Sequence, residues 1–189
     1  ILDRDAFEKE LNELGSLRAK ADAIRTRLAK SINTKYQENP AYYENFSKRI
    51  KEALELYKAR TITEAEYLAK MRDILEDYRT GKSAIAYPDR IRANVHAQAF
   101  YGVLTAIFSN EKLSVELDFA AEMALDITTI IEKHSQVDWT HNLTIHDRIS
   151  QDIDDLFYRY QKEMGLVLSF DVIDIIIENV KTVALRRFA

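Results

Sequence analysis

The chain has 189 residues, 47% hydrophobic and 31% charged, with four Gly, two Pro, no Cys and a formal net charge of −4. The missing cysteines exclude disulfide frameworks, thiol nucleophiles, zinc fingers and Cys-ligated iron–sulfur clusters, and so few Gly and Pro exclude a β-sandwich, a collagen or a Gly/Ser-rich disordered tail. A chain of this length buries roughly 70% of its unfolded surface, so the expectation is an all-α multi-helix bundle with no significant sheet.

The first helix is predicted over Asp3 to Leu14, with Leu2, Ala6, Leu11 and Leu14 on its apolar side. Gly15 stops it and Ser16 caps the next, Leu17 to about Tyr36, whose stripe is Leu17, Ala21, Ile24, Leu28 and Ile32. Asn39-Pro40 restarts the chain, Asn as cap and Pro in the first helical position, where its missing N–H costs nothing. Tyr43, Phe46, Ile50, Ala53 and Tyr57 carry that helix to about Ala59. Thr63 and Glu66 form a capping box ahead of a helix with the stripe Tyr67, Met71, Ile74 and Tyr78, and Gly81 ends that helix.

Pro88 predicts another start, and a helix over about Asp89 to Phe108 whose second half is apolar nearly all round. Such a helix is buried on most sides, and its twelve-residue apolar half falls short of the ~20 residues that span a bilayer. Leu113, Leu117, Ala120, Ala124, Ile127 and Ile131 then recur every three or four residues, the seam of a bundle. A loop over Gln136–Leu143 holds Trp139, the single tryptophan. Thr144 with Asp147 predicts the next start, with Ile149, Ile153, Leu156 and Tyr160 as its stripe. Gly165 breaks it, Ser169 recaps, and Ile173, Ile177, Val180 and Ala184 line the last helix, where Arg186 and Arg187 complement the dipole. The count is eight helices in a domain spanning 1–189, with a candidate subdivision at 1–81 and 82–189.

Chemistry is harder to find. Gly81-Lys82-Ser83 mimics the end of a P-loop, but Glu76 stands where the first Gly belongs, and a helix precedes it instead of a strand. No residue two before any of the 13 Lys is acidic, so the D/E-x-K pair of restriction-type nucleases is missing from this stretch. No His has Glu three residues before it, as a di-metal bundle requires. Asp138 and His141 have that spacing in a loop, and Asp152, Asp154 and Asp155 read as a solvated face. We therefore expect no catalytic, cofactor or metal residue.

Charge is unevenly spread. Residues 1–90 hold 18 Lys/Arg against 16 Asp/Glu, whereas 91–189 hold 9 against 15. Arg18, Lys20, Arg25, Arg27, Lys30 and Lys35 face only Asp22 within their segment. That helix could follow a phosphate backbone, meet an acidic partner, or simply be solvated. Trp139 is a candidate docking anchor, because Trp is enriched at interface hot spots; the alternative is that it plugs the domain's own core. Ile1 in place of Met suggests a fragment of a longer chain or a cleaved precursor, and no signal peptide is expected.

Several stretches carry a resemblance. Ser16–Lys20 reads S-L-R-A-K, Asn39–Tyr43 reads N-P-A-Y-Y and Glu64–Leu68 reads E-A-E-Y-L. Val137–Trp139 and the I-x-x-x-I-D-D-L run at Ile149–Leu156 follow in order. Together they resemble the C-terminal helical region of the R (restriction and translocation) subunit of type I restriction enzymes, across most of the chain. The resemblance implies a non-catalytic piece of an ATP-dependent type I site-specific deoxyribonuclease. It also implies that ATP, Mg and the cleavage residues belong to upstream domains, leaving no cofactor here. This region would dock the subunit onto the methyltransferase and specificity subunits of a cytoplasmic bacterial or archaeal complex. DNA would be met through that complex, and no membrane is implied. The alternatives are a domain touching the DNA backbone through the basic helix, or a generic helical protein-interaction module.

Overall fold

The computed structural model describes residues 4–82, 85–136 and 138–189. Among these residues there are eight α-helices and no strand. The chain divides into two compact units, one of residues 1–36 and 42–85, the other of residues 37–41 and 86–189. No helix of the described residues is long and apolar enough to cross a membrane.

Unit 1 is built from α1 (Arg4–Glu13), α2 (Leu17–Lys35), most of α3 (Pro40–Lys58) and α4 (Glu64–Thr80). Local chemistry sets the ends. Ser16 Oγ accepts from the Ala19 N–H at 3.0 Å. Thr63 Oγ1 accepts from the Glu66 N–H while the Glu66 carboxylate accepts from the Thr63 N–H, so two orphan donors are satisfied reciprocally. Gly81 adopts a left-handed φ of 73°, which a side chain would resist, and closes α4.

The core of unit 1 joins Ile24 and Leu28 of α2 to Phe46 of α3 and to Tyr67 and Met71 of α4, all buried. Two expectations change at its edge. In α1 the buried residues are Phe7 and Leu11, whereas Ala6 is exposed. Burying a phenyl ring contributes about 1.5–3 kcal/mol and a methyl far less, so the helix turns Phe7 inward. Leu17, at the first position of α2, is likewise exposed. Leu2 and Asp3 lie outside the described residues.

Unit 2 contains α5 (Val95–Asn110), α6 (Leu117–His134), α7 (Leu143–Met164) and α8 (Phe170–Arg187). Nine of the sixteen α5 residues are buried, and α6 and α8 pack against it. The helix predicted from Asp89 does not form as one piece. Asp89–Ile91 is a single 3-10 turn, and Asn94 starts α5 by accepting from the His96 and Ala97 N–H groups. A side-chain oxygen that caps the next helix competes with continuing the previous one. For the same reason Asn142, not Thr144, caps α7. Leu113 lies in the loop before α6, which starts at Leu117 without a side-chain cap. Ser169 caps α8 by accepting from the Val172 N–H.

Gly102 is where unit 2 is tightest. A Cβ there would lie 2.7 Å from the Ala41 Cβ, so only Gly admits the 37–41 segment. Arg186 Nε donates to Gln37 Oε1 and Arg187 Nη1 to the Glu38 carbonyl, holding that segment from the end of α8.

Candidate functional site

Trp139 sits in a 3-10 turn, Trp139–His141, that follows Asp138 in a left-handed conformation. Its ring is 3% exposed. The indole Nε1 donates to the Phe188 carbonyl at 3.0 Å, and the ring meets His146 edge-on. Trp139 thus ties the end of α8 to the start of α7, within the core of unit 2. A docking anchor needs an accessible ring; this one is spent on the domain's own core. Val137, its neighbour in the V-D-W run, lies outside the described residues.

The basic helix is partly neutralised by its own surroundings. Arg18 and Arg25 both approach Asp22, at 3.7 and 3.3 Å, and Arg27 binds Glu10 at 2.6 Å while lying over the Phe7 ring. Lys30 and Lys35 remain exposed and Lys20 half-buried. The six cations therefore do not form one uninterrupted strip. Instead Arg27, Lys30 and Lys35 line a cleft of about 1280 Å3 within unit 1, joined by Arg4 of α1 and Arg79 of α4. Sequence reading missed Arg4 and Arg79, because they reach this wall from helices remote in the chain.

The His and Asp residues make structural ties. Lys133 Nζ and His134 Nε2 both lie 2.8 Å from Asp152 Oδ2, joining α6 to α7. The bond from Lys133, and then that to His134, holds the Asp152 carboxyl below its ordinary value. Asp154 and Asp155 are exposed, and His141 Nδ1 pairs with Thr140 Oγ1. No three His, Asp or Glu side chains among the described residues gather as a metal-ligand set. Gly81 acts as a helix cap, and Ser83 of the P-loop-like triplet lies outside the described residues.

One surface of unit 2 stands out by its exposure. Val167 and Phe170 are each 83% exposed and Met164 is 58% exposed, around the turn from α7 to α8. The reason is local. Gly165, left-handed at φ 68°, ends α7, and Leu168 alone of the turn is buried, so the side chains flanking it are left outside. Exposed Glu163, Asp171 and Asp174 border them. A sequence signal existed: five apolar residues between Met164 and Phe170, punctuated by Gly165 and Ser169, read as an apolar loop.

These features define an all-α domain that presents an apolar turn on one unit and a basic cleft on the other. The chain belongs to the family described as type I restriction enzyme HindI endonuclease subunit-like, C-terminal, whose model matches residues 1–184. Among curated proteins it is similar to the type I restriction enzyme HindI endonuclease subunit of Haemophilus influenzae, 25% identical over 127 residues. That match covers 67% of this chain and 12% of the relative, so the chain corresponds to a small part of the relative's length. No solved structure matches.

Proposed function

We propose that this domain is a non-catalytic docking piece of a type I restriction enzyme R subunit, joining the ATP-dependent translocase and endonuclease to the methyltransferase and specificity subunits. The observation that carries the reading is the apolar turn of Met164, Val167 and Phe170. Large apolar side chains left in water around one turn mark interaction surfaces. Phe170 and Val167 supply the apolar centre, and Glu163, Asp171 and Asp174 supply an acidic rim. The complementary surface is an apolar pocket with basic borders, whose charges fix register more than they add affinity. ATP, Mg and the cleavage residues belong to the rest of a cytoplasmic parent enzyme.

The test is a Val167→Asp/Phe170→Asp variant of the intact R subunit, assayed by co-purification with the methyltransferase–specificity core. Losing a central aromatic anchor costs roughly 2 kcal/mol or more, about a thirtyfold loss of affinity. Undiminished co-purification of the variant overturns this assignment of the surface. ATP hydrolysis by the isolated variant subunit should be unchanged, since both side chains are exposed.

A further inference from the structure

We propose that the cleft walled by α1, α2 and α4 of unit 1 binds a compact phosphate-bearing anion, an inorganic polyphosphate or a nucleoside polyphosphate in class. Five cationic side chains line it, and their pairing is incomplete. Arg27 is taken by Glu10 at 2.6 Å. Arg79 meets Glu8 only through Nη1, at 3.6 Å, while its Nε and Nη2 are shielded from solvent and have no acceptor. Arg4, Lys30 and Lys35 enter no ion pair among the described residues. The two unpartnered donors are sealed from solvent, so Arg79 acts on a ligand in the cleft through its charge, which Glu8 at 3.6 Å only partly offsets.

Hydroxyl chemistry marks the same place. Ser31 Oγ and Tyr78 OH bond each other at 2.6 Å across α2 and α4. That bond uses one of their two protons and leaves the other for a further acceptor. By contrast Thr26, Thr34 and Thr80 donate to backbone carbonyls of their own helices, so they offer no free proton. The available donors therefore sit where Lys30-Ser31 of α2 faces Tyr78-Arg79 of α4.

The acidic members of the wall select the size of the ligand. Glu10, Asp22 and Glu76 line the same cleft. A long phosphodiester chain would meet all three carboxylates as well as Glu8 beside Arg79, whereas a compact anion of high charge needs few contacts and faces fewer of them.

Isothermal titration of the 189-residue chain with inorganic tripolyphosphate tests the proposal. Saturable binding at a single site is expected, weakened about tenfold or more by Lys30→Glu and by Arg79→Met, as loss of a charge-assisted bond or of a nearby charge predicts. Lys162→Glu, an equal charge change on unit 2, should leave it intact. Lys30 is exposed, so its variant decides the matter even if Arg79→Met fails to fold. Absence of saturable binding at low salt overturns the proposal, as does equal weakening by Lys162→Glu. Duplex DNA that binds while tripolyphosphate neither binds nor competes would also overturn it, showing a backbone track instead.

Discussion

The two units close their helical cores by different means. Unit 1 uses aromatic rings with polar ends. Tyr57 stacks on Tyr67 at 4.8 Å, and Tyr78 meets Phe46 edge-on at 5.4 Å. Cross-helix ion pairs such as Arg49 with Asp77 and Arg72 with Glu8 seal its margins. Unit 2 buries aromatic rings as well, but adds a run of small side chains: Ala97, Ala99, Gly102, Ala120, Ala121 and Ala124 are all buried between or beside its central helices. Close backbone approach leaves no room for adjustment, whereas rings at a margin can shift and rehydrate. The difference teaches where each unit is vulnerable.

The largest effect is expected at Phe100, fully buried in unit 2, where Phe100→Ala should cost about 3–5 kcal/mol. Phe46→Ala in unit 1 should fall at about 3 kcal/mol, because its neighbours Tyr42 and Tyr78 are only half-buried and can close over the gap. Urea midpoints followed by circular dichroism compare the two. Equal losses would break the distinction between a rigid and an adaptable core.

Gly102→Ala comes next, at about 1–3 kcal/mol, since its new methyl must displace Ala41. Trp139 fluorescence reports it, with the midpoint moving to lower urea; an unchanged midpoint would mean that the 37–41 segment yields freely. In unit 1, Thr63→Ala should cost about 1 kcal/mol by removing the α4 cap.

The smallest effect is a pH slope in unit 2. Burial, and then the charge of Arg187, hold His96 below its ordinary value, while Arg187 Nε donates to its Nδ1. The unfolded chain takes up that proton near pH 6.5 and the folded chain resists it. Stability therefore rises with pH across the window below about 6.5, and acidification through it destabilises. Melting temperatures between pH 7.5 and 5.5 should fall less steeply in His96→Gln. Asp152 acts in a separate window: its lowered value contributes stability above the ordinary carboxylate range that is lost only as pH falls below it.

The apolar periodicities in the sequence located all eight helices, because burial of one face selects the helix and its spacing is local. Ser16, Thr63, Gly81, Gly165 and Ser169 were legible for the same reason, each acting on backbone groups within a turn. The starts of α5 and α7 were misplaced, since Pro88 and Thr144 compete with Asn94 and Asn142 and the packed helix decides between them. Of the surfaces, the six cations from Arg18 to Lys35 were visible as a run, but their neutralisation by Asp22 and Glu10 was not.

By itself, then, the sequence determined an all-α chain without cysteine chemistry and its kinship with type I restriction subunits. Tertiary structure alone decided which side chains are buried inside and which stay in water. Trp139 went to the core because its indole N–H finds the Phe188 carbonyl, 49 residues away. Phe170, at the start of α8, stays in water while Leu168 just before it is buried. Arg79 joined Lys30 in one cleft because α4 packs on α2. Such choices depend on partners remote in the chain, and no local pattern encodes them.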